Sequence, residues 1–124
     1  MLGTYMNRPW SEIARFYGQI DTPSGAAMLA LVSAIQASRY AAGLFPWTSM
    51  MDLCVAQTPV IYPCDSPYLR IGPISQDTVE LRYVDTWDEK KQWHRSVRLE
   101  WAFARLERVF DELHWFVPAT GPTP

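Results

Sequence analysis

The stretch from Trp87 to Val117 constrains this chain more than any other part of it. Leu99, Phe103, Leu106, Phe110, Leu113 and Val117 recur at intervals of 4, 3, 4, 3 and 4 residues. At about 100° per residue these six share one quarter of a helix surface, so the spacing predicts an amphipathic helix of roughly eight turns. That stripe has to be buried by the rest of the chain. A second set, Trp93, Val97, Trp101, Ala104 and Trp115, falls on the opposite side of the same predicted helix. A surface helix needs only one apolar face. The second face therefore has two readings, a helix held between two layers of its own domain or an interface. Tryptophan and arginine are the residues interfaces favour, which points to a homodimer or another protein partner.

The 124 residues, 48% hydrophobic and 19% charged, suit one globular domain with a real core. A net charge of -2 supplies no basic footprint for nucleic acid or an anionic membrane surface. A nucleic-acid binder would have to build a local patch from Arg95, Arg98 and Arg105. The most membrane-like window, 26–45, carries Gln36 and Arg39 and is rich in Ala, Ser and Gly, unlike a spanning helix. The first residues lack a basic region followed by an apolar run, so a cytoplasmic location is expected, with Cys54 and Cys64 as free thiols.

Taken in order, residues 1–8 read as an arm. Pro9 opens a helix carrying Trp10, Ile13, Phe16, Tyr17 and Ile20 at helical spacing. Thr22 and Pro23 start a second helix, expected to run to Ala42 before Gly43, with Met28, Leu31, Val32 and Ile35 as its large stripe. Its other face, including Ala26, Ala30, Ser33, Ala34 and Ala37, has only small side chains and could admit a close neighbour. The segment 44–48 reads as a proline-containing connection. Strand patterns follow at 49–56, 68–71 and 78–86, the last being the clearest, with Val79, Leu81 and Tyr83 alternating against Glu80 and Arg82. Asp85 and Thr86 are placed to cap the long helix, with Asp88 and Glu89 in its first turn. Pro118 to Pro124 reads as a frayed tail. The expected fold is α+β in the order ααβββα: an N-terminal α-hairpin, a small antiparallel sheet of about three strands, and a long C-terminal helix packed on the sheet.

Catalytic and metal signals are sparse. His94 and His114 lie 20 residues apart, too far to share an ion if both are on one helix, and no C-x-x-C or H-x-x-x-H spacing occurs. There is no nucleophile elbow and no glycine-rich phosphate loop. Cys54 sits in an apolar strand pattern, which suits a structural thiol. The acids Asp85, Asp88 and Glu89 are better explained as capping groups than as a catalytic pair. Arg95, on the stripe expected to be buried, calls for a carboxylate partner such as Asp85 or Asp52, or else an anion pocket beside Tyr83 and Trp87.

Two functions fit. The first is a self-associating protein-binding module of inhibitor, immunity or assembly-factor type, using Trp93, Val97, Trp101 and Trp115 together with Ala30 and Ala37. The second is a small-molecule binder or minor enzyme with a pocket between sheet and long helix, built from Trp47, Tyr83, Asp85, Trp87, Trp93, His94 and Arg95. Neither requires a cofactor or a metal.

Overall fold

The computed structural model describes residues 5–61, 64 and 66–116; the expected tail and the first half of the arm lie outside these. Helix α1 (Trp10–Gly18) follows Pro9, and α2 (Pro23–Gln36) starts as its sequence requires, with the Thr22 hydroxyl accepting from the Gly25 N–H at 3.0 Å. Helix α2 stops at Gln36, short of Ala42. Ser38 ends it, its hydroxyl donating to the Ile35 carbonyl and accepting from the Tyr40 N–H, and a 3-10 turn spans Ala41–Gly43.

Five strands follow, not three: β1 (Phe45–Ser49), β2 (Asp52–Ala56), β3 (Tyr68–Pro73), β4 (Thr78–Val84) and β5 (Trp93–Arg98). They form one antiparallel sheet in the order β1-β2-β3-β4-β5. Two sequence expectations are corrected here. The proline-containing connection at 44–48 is β1. An edge strand tolerates Pro46 because one side of it has no ladder to feed, and residues 5–8 cover that side, with the Arg8 N–H donating to the Pro46 carbonyl. The predicted eight-turn helix is instead a 3-10 turn at Glu89–Lys91, the strand β5, and a shorter helix α3 (Leu99–Glu112). Trp93, Val97 and Trp101 are four apart, and residues four apart share a face in a strand as well as in a helix. The spacing was therefore ambiguous, and pairing with β4 decided it: Val79 lies opposite Val97, Leu81 opposite Arg95 and Tyr83 opposite Trp93.

The helices cover one face of the sheet. Leu53, Val55, Leu69, Ile71, Val79 and Leu81 from the strands meet Ile13, Tyr17, Met28, Leu31, Val32 and Ile35 from the hairpin and Ala102, Leu106, Val109 and Phe110 from α3. Of the first stripe of the predicted long helix, Leu106 and Phe110 are buried, Leu99, Phe103 and Leu113 pack partly buried against the core, and Val117 lies outside the described residues. The opposite face holds a smaller apolar cluster of Trp47, Cys54, Ala56 and Val60, with Met6, Cys64 and Tyr68 packed against it. No helix among the described residues is long and apolar enough to cross a membrane.

Candidate functional site

The end of α3 and the β4–β5 connection build the two walls of a cleft. Asp85 leaves β4 and is buried, 5% exposed, as the one buried charged side chain among the described residues. One of its carboxylate oxygens accepts from the Trp87 N–H at 2.9 Å and the Asp88 N–H at 2.8 Å, and the other from the Tyr83 hydroxyl at 3.4 Å. Its own N–H donates to the Gln92 side-chain oxygen. Burial pushes the carboxyl pKa up, but the Asp88, Trp87 and Tyr83 hydrogen bonds outweigh it and leave it below the ordinary value. Asp85 thus caps the turn that follows it rather than the helix start expected of it, and α3 begins after Arg98 with no side-chain cap. The effect is a fixed loop that holds the Trp87 indole out, 76% exposed.

The facing wall is set by the helix terminus. Beyond Leu113, His114 takes a positive φ of 58°, which lets the His114 N–H reach the Asp111 carbonyl and the Trp115 N–H reach the Phe110 carbonyl. This is a Schellman termination with histidine where glycine is usual, and it folds the Trp115 ring back to stack on Phe110 at 6.1 Å. The Gln57 side chain donates to the Trp115 carbonyl at 2.8 Å and ties this wall to the end of β2. Between the walls lies a cavity of about 320 Å³ lined by Gln57, Thr58, Ser66, Pro67, Tyr83, Trp87 and Trp115. Its surface is aromatic and apolar with a few amide and hydroxyl groups at the edge, a composition typical of small-ligand sites.

Of the expected pocket residues, Tyr83 and Trp87 line this cleft and Asp85 lies beneath it. The others go elsewhere. Trp47 is on the opposite face of the sheet with Cys54, and His94 lies on that face as well. Arg95 is not on a buried helix stripe but exposed on β5, where it pairs with Glu112 at 3.1 Å rather than with Asp85 or Asp52, and its guanidinium lies 4.0 Å from the centre of the Trp93 ring.

The expected interface set is not one surface. Trp93 stacks on Tyr83 at 6.0 Å, and Val97 is half-buried, both on the helix-covered side of β5. Trp115 lines the cleft, while Trp101 is 59% exposed on the outer side of α3. Ala30 on α2 and Ala37 just beyond its end are exposed, so nothing in the described chain packs closely on that small-residue face.

Cys54 is buried among Trp47, Ala56 and Val60, and burial pushes its thiol up to about 12. His94 and His114 are not on one helix, and among the described residues no three His, Cys, Asp or Glu side chains converge as metal ligands. Sequence reasoning missed Gln57 and Ser66, because they face the cleft only once β2, β3 and α3 end at the same place. The fold and the cleft define a helix-covered antiparallel meander with an aromatic site at the strand ends. No family model, curated protein or solved structure matches the chain.

Proposed function

We propose that this protein binds a flat, largely apolar small molecule between Trp87 and Trp115. The observation that carries this reading is Trp87. An indole left in water is costly, and here a buried carboxylate fixes the loop that keeps it there. A rigid aromatic wall that stands open before the ligand arrives reduces the ordering cost of binding. Tyr83 supplies the floor, and Gln57, Thr58 and Ser66 supply polar contacts at the rim. The test is an NMR titration with indole that follows the tryptophan Nε1–H signals of the wild type and of Trp87→Ala. A saturable shift of the Trp87 and Trp115 signals in the wild type, with the affinity read at Trp115 weakened roughly tenfold in the variant, supports the cleft. An unchanged affinity in the variant, or no shift in the wild type, overturns it.

A second reading, self-association, is favoured by Trp101. It stands exposed beside Ala104, with Arg105 and Arg108 following on the same side of α3. Light scattering on the wild type and on Trp101→Glu decides this one. A dimer that becomes a folded monomer in the variant supports it, and a monomeric wild type removes it.

A further inference from the structure

The face of the sheet turned away from the helices is organised in rows, because directly paired residues of neighbouring strands point the same way. One row runs Cys54, Arg70, Arg82, His94 across β2 to β5. Strands lie about 4.8 Å apart, so three cationic or potentially cationic side chains stand shoulder to shoulder. Like charges directly opposite one another are unfavourable, which makes the row a feature that needs a reason.

The neighbouring rows differ sharply. On one side lie the acids. Asp52 accepts from Arg70 Nε at 2.5 Å, and the Asp52 hydrogen bond, set against partial burial, raises the Arg70 pKa above its ordinary value. Glu80 lies 4.0 Å from Arg82 Nε and 3.7 Å from His94 Nδ1. On the other side lie Tyr68 and Val84, paired with each other, and Gln92 in line with His94. There the sheet forms a hollow of about 250 Å³, and no carboxylate lines it. Its polar side chains are donors: the two guanidiniums, the Tyr68 hydroxyl, the imidazole and the Gln92 amide. The Gln92 oxygen is already engaged by the Asp85 N–H, so its NH₂ remains to donate.

We infer that this hollow binds the phosphate group of a small phosphorylated molecule, with Arg70, Arg82, His94, Tyr68 and Gln92 as donors. A carboxylate is satisfied by one guanidinium in a two-pronged contact. Here the donors come from β3, β4 and β5 and surround a centre, which matches the three terminal oxygens of a phosphate monoester. The acids behind the row position the arginines without entering the hollow. Its donors lie on the face of the sheet turned away from the helices, and Tyr83 borders both this hollow and the aromatic cleft.

The test is calorimetric titration of the full chain with phenyl phosphate at fixed ionic strength, with benzoate as the carboxylate probe. The wild type binds phenyl phosphate saturably, and Arg82→Gln weakens it about tenfold or more, the usual scale for a lost charge-assisted contact. His94→Gln, at a side chain too exposed to affect folding, weakens it as well. Arg98→Gln, on the same strand but paired with Glu100, leaves it unchanged. No saturable binding by the wild type overturns the inference. Equal losses in Arg82→Gln and Arg98→Gln overturn it too, since they reduce the effect to diffuse charge. Benzoate binding as tightly as phenyl phosphate overturns the assignment to phosphate.

Discussion

The two faces of the sheet are made from the same five strands, residue by alternate residue, yet they obey different rules. The helix-covered face is apolar through its middle, where Leu53, Leu69, Ile71 and Val79 have no measurable exposure. A charge enters only at its margin on β5, where Arg95 pairs with Glu112 and lies over Trp93. The other face is divided. Residues 5–8 and the residues after β2 shelter Trp47, Cys54 and Ala56, and the remainder is left to Arg70, Arg82, Glu80 and His94. The covered face stores the stability, and the open half, relieved of packing, is where charges can be arranged in rows.

The sharpest way to break that contrast is to cut into the covered face. Leu81 is 1% exposed between β3, β5 and the helix layer. Leu81→Ala should cost about 2–5 kcal/mol, transfer plus cavity, read as a lower urea midpoint with an unchanged m-value. A loss below about 1 kcal/mol would show that the helix layer can settle onto the sheet and is not the rigid partner described.

How much of this was legible in the sequence depends on which distances carry the information. Helix caps, the apolar stripes of α1, α2 and α3, and the alternation of β4 are local, and they were readable. The strand β5 was misread because Trp93, Val97 and Trp101 satisfy both periodicities. The discriminating sign was weak: Trp93, Arg95 and Val97 alternate with His94, Ser96 and Arg98, and Arg95 is the one strong helix former among 93–97. Strand β1 was hidden by Pro46, whose tolerance depends on an edge position that only topology reveals. The sites were harder still. Tyr83 and Trp87 could be suspected as a pair, whereas Asp85 caps the turn at Trp87 and Asp88 and not the helix start expected of it. The Arg70–Arg82–His94 row exists only through cross-strand register, which one strand's sequence does not contain.

A second substitution tests the open face at its most crowded point. Gly72 sits in the acidic row between Asp52 and Glu80, and the Asp52 carboxylate lies directly over it, where an added Cβ would collide with it. Gly72→Ala should therefore displace Asp52 from Arg70. The lost charged hydrogen bond, offset by the reduced freedom of the unfolded chain, amounts to about 1–2 kcal/mol of stability. The same denaturant measurement checks this, and a neutral or stabilising outcome would mean that Asp52 does not anchor the row.

The smallest effect separates the sheltered half of the open face from its wet half, and pH is the probe. Cys54 is 1% exposed, and burial, the largest influence on it, pushes its thiol from 9.0 up to about 12. The sign follows from linkage. Below pH 9 the thiol is protonated in both states and its burial contributes fully. As pH rises above 9 the unfolded chain releases this proton while the folded chain keeps it, so stability falls until the folded thiol ionises near 12. One pH unit above the unfolded value, at pH 10, the loss is on the order of 1 kcal/mol. Tyr17, likewise raised by burial, adds its own loss at higher pH, so the comparison is between the wild type and Cys54→Ala under identical conditions. The variant is the less stable protein at neutral pH because of the cavity, and the gap between the two should narrow from pH 9 to pH 10. A gap that stays constant over that range would place Cys54 in contact with water, and the sheltered half of the face would then be as wet as the half that carries the arginines.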